Sequence, residues 1–387
     1  MDTIILGTKP LFEKAKQLLG GFENLNIVSF FELQKREEAA EIRQMYWGKV
    51  ADTLILAVPN QNAEEITALL RDADIRNIFY IPHYAYNLKH VSLDEILVRL
   101  DVNKPRLCYL EFMVCDNCNL NCKGCTHYCN IEEEVFADFN SYFRDLKRLK
   151  ELFWGISKIR LMGGEPLLNE KLYKFVDVTR EVFPDAEIRV VTNGLLIPGI
   201  NKELAASMKR SHCGFDITLY EPTANILGKI TKTLDEYEIE RNISKKVVKF
   251  LRIKTFKPIN NPEKASERCR SRNCHFLMDG HLAKCTEPIL VEKLNKRYLT
   301  DFTSKDIHNI YNKNIDAWEL NKQLDSPIDF CRYCVPFPEK FRWERCAANN
   351  AKLEDWIIPA WKVPFFSRRP PLKRAVKKML LRIGFRS

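Results

Sequence analysis

The chain reads as an α/β protein assembled from more than one unit, with a cysteine-rich piece behind them. Three observations carry that reading. Short apolar strands alternate with amphipathic helices through most of the first 240 residues. At 387 residues the chain exceeds what one compact core usually holds. Its 13 cysteines are bunched: five lie between Cys115 and Cys129 and six between Cys269 and Cys346, leaving Cys108 and Cys213 alone. The composition, 45% hydrophobic and 29% charged, excludes collagenous, low-complexity and wholly disordered proteins. The longest charge-free runs, Asn77–Leu88 and Val190–Asn201, are too short and too rich in Pro, Gly and Asn to span a bilayer. No secretion signal is visible, so a cytoplasmic location is expected.

The first strands are expected at Thr3–Leu6, Asn26–Phe30, Asp52–Val58 and Asn77–Ile81, with helices at Leu11–Leu19 and Ala63–Asp72 between them. Buried strands alternating with helices imply a small parallel Rossmann-like α/β domain over residues 1–100. The turn after the first strand reads Gly7-Thr8-Lys9-Pro10, without the glycine-rich sequence that lets backbone approach a pyrophosphate. An interaction or scaffold module fits better than a nucleotide site.

A second α/β series starts with an apolar strand at Arg106–Val114 that leads into the first cysteine group. Helix Phe139–Phe153 precedes strand Lys158–Met162, and helix Asn169–Val182 precedes strand Glu187–Thr192. Helix Lys202–Ser211 precedes strand Gly214–Tyr220, and Asn225–Tyr237 is helical again. Repeated units of this length build a β/α barrel whose chemistry sits on the loops after the strands. Too few residues separate Tyr220 from Cys269 for two further units, so an open, partial barrel over residues 104–260 is expected. Beyond it the periodicity fades, and residues 261–348, with a hairpin at Phe276–Cys285, read as a small domain dependent on bound metal.

Within Cys115-Asp-Asn-Cys118-Asn-Leu-Asn-Cys122-Lys-Gly-Cys125 the informative spacing is Cys118-x3-Cys122-x2-Cys125. In a reducing compartment clustered thiols are metal ligands rather than disulfides. Three thiolates on one short loop can hold three irons of a [4Fe–4S] cube, leaving the fourth iron for a small molecule. A closed site that also uses Cys115, as in a zinc knuckle, stays open at this point. Core cysteines on one helical stripe are disfavoured by Asn117, Asn119, Asn121 and Gly124, all poor helix formers. Downstream, Gly163-Gly164-Glu165-Pro166 follows one strand, Thr192-Asn193-Gly194 ends the next, and the third reads Asp216-Ile217-Thr218-Leu219-Tyr220. Polar groups thus recur at successive strand ends.

In this order the motifs over Arg106–Tyr220 resemble the radical S-adenosylmethionine superfamily. The resemblance implies that Cys118, Cys122 and Cys125 hold a [4Fe–4S] cluster whose open iron chelates S-adenosylmethionine. It implies that Gly163, Gly164 and Glu165 meet the methionine end, that Thr192 and Asn193 line the cofactor, and that Asp216 or Thr218 lies near the ribose. The implied chemistry is reductive cleavage to a 5′-deoxyadenosyl radical that abstracts hydrogen from a substrate. Two departures stand out: Gly124 occupies a position where many members carry an aromatic residue, and Cys115 and Cys129 are extra thiols. A reducing partner of flavodoxin or ferredoxin type is implied as well.

Cys269-x4-Cys274-x10-Cys285, followed by Cys331-x2-Cys334, resembles the SPASM/twitch-like auxiliary extension of such enzymes in its one-cluster form. Cys285, Cys331 and Cys334 are the first three ligands expected, and either Cys269 or Cys274 completes the set, or both serve if one of the Cys331/Cys334 pair does not. Structural zinc is the alternative. His127, Tyr128, Tyr220 and Glu221 are candidates for facing a substrate, which the sequence leaves open among small molecules, sugars and peptides.

The net charge of +10 would suggest nucleic acid, but nine Lys and Arg with no acid lie in residues 357–387, leaving about +1 for the rest. That location argues against a nucleic-acid partner. Leu372, Ala375, Val376, Met379, Leu380 and Ile383 form one apolar stripe on a helix whose other face is cationic. Such a tail suits an anionic membrane surface at the inner face of the membrane, or docking on a protein. The expected function is a radical enzyme; a non-catalytic iron–sulfur or zinc scaffold and an RNA-modifying radical enzyme are the alternatives.

Overall fold

A computed structural model describes residues 2–32, 53–58, 66–67, 70–71, 77–87, 92–131, 135–346 and 350–367. The first sheet contains β1 (Asp2–Gly7), β2 (Asn26–Glu32), β3 (Thr53–Ala57), β4 (Ile78–Tyr80) and β5 (Val98–Arg99), in the order β2-β1-β3-β4-β5. The first four run parallel and β5 antiparallel to β4. Helix α1 (Lys9–Leu19) buries Ala15 and Leu19 against one face. Gly7 is required because a Cβ there would meet the Ala57 carbonyl oxygen at 2.0 Å. The neighbouring strand, not a ligand, fills that space. The helix expected over Ala63–Asp72 and the amphipathic helix over Leu372–Ile383 lie largely or wholly outside the described residues.

Downstream come β6 (Arg106–Leu107), β7 (Leu110–Cys115), β8 (Gly155–Ile156), β9 (Lys158–Gly163), β10 (Glu187–Thr192), β11 (Gly214–Ile217) and β12 (Arg241–Ile243). After them are β13 (Lys249–Lys254), β14 (Phe276–Met278), β15 (His281–Ala283), β16 (Ile307–Asn309) and β17 (Cys334–Arg342). Eight of these form one open sheet in the order β12-β11-β10-β9-β7-β14-β15-β16. From β12 to β14 the strands are parallel, and β15 and β16 continue antiparallel. The sheet therefore runs through the boundary expected at residues 260 and 261. The hairpin after Cys274 extends it on the far side of β7.

Helices α2 (Phe139–Leu152), α3 (Leu172–Val182), α4 (Lys202–Arg210) and α5 (Leu227–Glu236) follow the strands as crossovers. Asp138 and Asn201 cap α2 and α4, accepting from the Ser141 and Leu204 amides. Ile159, Leu161, Ile188, Val190, Phe215 and Ile217 pack with these helices in one core. Strand alternation turns Glu111, Arg160, Arg189 and Asp216 to the other face, which is correspondingly polar.

The strand expected over Arg106–Val114 is two strands. Arg106 and Leu107 leave the large sheet to pair with β8. Arg106 is wholly buried, ion-paired with Asp185 and hydrogen-bonded to Ser157 at 2.8 Å. Its guanidinium also lies over the Tyr80 and Trp154 rings at 4.8 and 4.3 Å. Burying that cation requires the chain to turn aside at this point. It also joins the first sheet to the second, because Trp154 shares the core of Ile4, Leu54 and Tyr80. The strand expected to reach Tyr220 stops at Ile217, where the Thr218 amide turns to the Thr192 carbonyl.

Candidate active site

β7 ends at Cys115, and the loop after it carries Cys118, Cys122 and Cys125 together. Charge on Cys125 opposes ionisation of Cys118, and charges on Cys125 and Cys118 both oppose that of Cys122. Burial pushes the Cys118 thiol up to about 11 and Cys122 to about 12. Cys125 moves the other way, held well below the usual thiol range by a hydrogen bond from Cys129 and then by His127. Cys129 thus serves as a donor to its neighbour's sulfur. The other extra thiol, Cys115, is buried and faces the Asn117 carbonyl at 3.3 Å.

The neighbouring strand ends are tied to this loop. Gly163, at φ 141°, would bring a Cβ to 2.1 Å from the Cys115 carbonyl, and Gly164 to 2.0 Å from that of Asn117. The Gly164 amide donates to Cys115 and the Glu165 amide to Asn117, both at 2.8 Å. The two glycines therefore let β9 seat the start of the cysteine loop. Glu165 is fully buried, and its carboxylate accepts from the Thr192 hydroxyl at 2.7 Å and from the Asn193 and Leu167 amides at 2.9 and 3.1 Å. Burial raises it to about 7 despite these donors. The Asn193 side chain donates to Asn119, inside the loop, at 2.6 Å. Asp216 faces Arg160 at 2.7 Å on the polar side of the sheet and accepts from Asn242 at 3.0 Å. Thr218 binds the end of β10 through its backbone.

His127 lies between Cys125 and Glu111. Burial lowers its affinity for a proton, but the Cys125 hydrogen bond and nearby carboxylate raise it more. Its Nε2 is buried without a partner. Tyr128 is occupied otherwise, donating at 2.5 Å to Glu287, which is clasped by Lys254 at 2.7 and 2.8 Å. Tyr220 is close to all three loop cysteines and Glu165, whose charges push its hydroxyl further up after burial. Glu221 is on the surface, paired with Lys246 at 2.5 Å, and is not brought into the site.

A second thiol group borders a cavity of about 130 Å³ lined by Cys269, Cys274, Cys285, Cys331 and Cys334, together with Glu111, His127 and Glu287. Cys285 and Cys331 each feel Cys269, and Cys334 feels both Cys285 and Cys331. Cys274 is turned toward Glu111 and Arg160, and burial raises it to about 12. The cavity reaches from these thiols to the residues beneath the first loop.

Sequence reasoning missed the segment that covers the cysteine loop. Trp343 Nε1 donates to the Cys122 sulfur at 3.2 Å, and its ring stacks on Tyr220 at 5.0 Å. Arg345 donates to the Leu120 and Asn119 carbonyls at 3.1 Å, and Trp356 Nε1 to that of Cys125 at 2.7 Å. Phe341 and the Asp355 carbonyl lie within 2.8 Å of where a Gly124 Cβ would stand. Glycine is needed there because this segment passes so close. Aromatic residues between Arg342 and Trp356 were the only hint in the sequence.

Residues 112–253 match the family model of the Radical SAM superfamily, and the chain carries a radical S-adenosylmethionine domain. It is similar to two enzymes named GTP 3′,8-cyclase. That of Clostridium acetobutylicum is 31% identical over 155 residues, 39% of this chain and 48% of that protein. That of a Sulfurovum species is 28% identical over 293 residues, 70% of this chain and 83% of that protein. The chain thus spans about half the length of the first relative and most of the second. Among solved structures, BtrN in complex with AdoMet and 2-DOIA is 16% identical, covering 66% of this chain and 100% of that one, at a TM-score of 0.37. The superfamily uses a [4Fe–4S] cluster and S-adenosylmethionine. The donor chemistry fits: three thiols on one loop, with Cys115 facing the Asn117 carbonyl and Cys129 that of His127.

Proposed function

We propose that the protein is a radical S-adenosylmethionine enzyme with one auxiliary [4Fe–4S] cluster and a substrate bound on the polar face of its open barrel. The convergence of Cys118, Cys122 and Cys125 on a loop braced by Glu165, Thr192 and Asn193 carries the reading. When bound, the cluster and S-adenosylmethionine supply one-electron cleavage of the sulfonium and a 5′-deoxyadenosyl radical that takes hydrogen from the substrate. The protein's residues orient and enclose that chemistry. Asn193 and Arg345 hold the loop from its two sides, Tyr220 and Trp343 form an aromatic wall beside it, and His127 and Glu111 offer a proton-handling pair in the adjoining cavity.

For the auxiliary site we assign Cys269, Cys285, Cys331 and Cys334 as ligands, since Cys269 acts on Cys285 and Cys331 and these two act on Cys334, whereas Glu111 and Arg160 act on Cys274 more than Cys269 does. Structural zinc held by the same four thiolates is the alternative, and iron analysis tells the two apart.

Anaerobic reconstitution followed by dithionite and S-adenosylmethionine is expected to release 5′-deoxyadenosine; none, even slowly, would favour a non-catalytic scaffold. GTP is the first substrate to try, because the relatives are named for it. Iron analysis should give about eight irons per chain, about four in a Cys269→Ala variant and about eight in Cys274→Ala. A flavodoxin- or ferredoxin-type donor would supply the electron in the cell. The tail could hold the enzyme at an anionic membrane surface; among the described residues no helix is long and apolar enough to cross a membrane.

A further inference from the structure

Cys108, solitary in the sequence, is not solitary in space. It precedes β7, at the opposite end of that strand from the cluster loop and so about 20 Å from it. Its sulfur lies 3.8 Å from His275 Nε2, and the same nitrogen lies 3.6 Å from the Asp325 carboxylate, at the end of α6 (Ala317–Asp325). One sulfur, one imidazole nitrogen and one carboxylate oxygen all fall within 4.8 Å of one another. The His275 ring is 1% exposed, whereas Asp325 opens to solvent.

Hydrogen bonds among the three are partial, and the buried Lys284 ammonium nearby donates to the Leu324 and Asp325 carbonyls at 3.0 Å. With a proton on Nε2, the imidazole can donate well to the carboxylate or to the sulfur but not to both. Without one, the Cys108 thiol can donate to the nitrogen while the carboxylate faces its lone pair. A cation at the point the three atoms share satisfies all of them at once. Tetrahedral zinc separates a histidine nitrogen from a thiolate by about 3.5 Å and from a carboxylate oxygen by about 3.3 Å. The observed separations are within a few tenths of an ångström of these. Sulfur, nitrogen and oxygen donors together suit zinc better than magnesium or calcium, which take oxygen.

We propose that Cys108, His275 and Asp325 bind one zinc-type divalent cation, with water completing the coordination, at a site separate from both cysteine clusters. It staples the start of β7, the entry to β14 and the end of α6. Its place at the strand end away from the cluster loop makes it structural, and it stands whether or not the auxiliary cluster is iron–sulfur.

The test is metal analysis of full-length, iron-reconstituted protein after incubation with zinc and desalting. About one zinc per chain is expected in addition to the iron. Cys108→Ser and Asp325→Asn, neither of them an assigned cluster ligand, should each lose that zinc and keep the iron. A thermal melt gives the second reading: zinc should raise the wild-type melting temperature and leave that of Asp325→Asn unmoved. Wild type that takes up no zinc with its iron complete, or variants that retain zinc, would overturn the site.

Discussion

Glu165 illustrates how one side chain organises the site without touching a reacting atom in this structure. Its carboxylate gathers a hydroxyl and two amides from the ends of β9 and β10, so its burial is tolerated. Because burial raises it from the usual carboxylate range to about 7, the folded chain favours its protonated form. The stability this gives is complete below about pH 4.5 and is lost as pH rises through about 7, a difference of about 3 kcal/mol. Urea titrations between pH 5 and 8 should show the wild type losing most of that amount relative to Glu165→Gln. Trp343 acts on the loop more directly, through the hydrogen bond to Cys122. Donors to cluster sulfurs favour the reduced, more negative state. Trp343→Phe should therefore make the potential of that cluster more negative in an EPR-monitored redox titration, with iron content unchanged.

Among the elements, β6 shows most clearly how local pattern can mislead. Arg106–Val114 is apolar enough to read as one strand, yet the Arg106 side chain needs Asp185, 79 residues away, and two aromatic rings. Nothing near it in sequence signals those partners. Arg106→Ala leaves Asp185 buried without its counter-charge and should cost about 3–5 kcal/mol, measured by chemical denaturation. The α/β elements were otherwise legible because their apolar residues recur at the helix or strand period. β10 agrees with its expected limits, and α2 differs by one residue at its end. Strand ends were less legible: β11 stops three residues early because Thr218 and Tyr220 turn back over the site.

For the molecule as a whole, the unforeseen feature is how the cysteine-rich part is woven into the barrel. β14 adds directly to β7, and Trp343, Arg345 and Trp356 cover the first cysteine loop. The cavity beside the second thiol group is consequently also lined by Thr126 and His127 of the first loop, and Tyr128–Glu287–Lys254 forms a buried link between the two parts. The basic segment after Ser367 lies outside the described residues. A chain ending at Ser367 should keep its full iron content and 5′-deoxyadenosine formation while losing sedimentation with anionic vesicles at low salt. Retained vesicle binding would place the membrane contact elsewhere.

The amino-acid order alone determined the alternation of strands and helices, the three-thiolate loop and the strand-end motifs beside it, since each is written in spacings of a few residues. Only the folded chain could occupy Tyr128 with a buried ion pair, put Glu221 at the surface and bring Cys108 to His275 and Asp325. Those outcomes depend on contacts between side chains far apart in sequence. Such contacts follow from how sheets and helices stack, and local periodicity carries no trace of them.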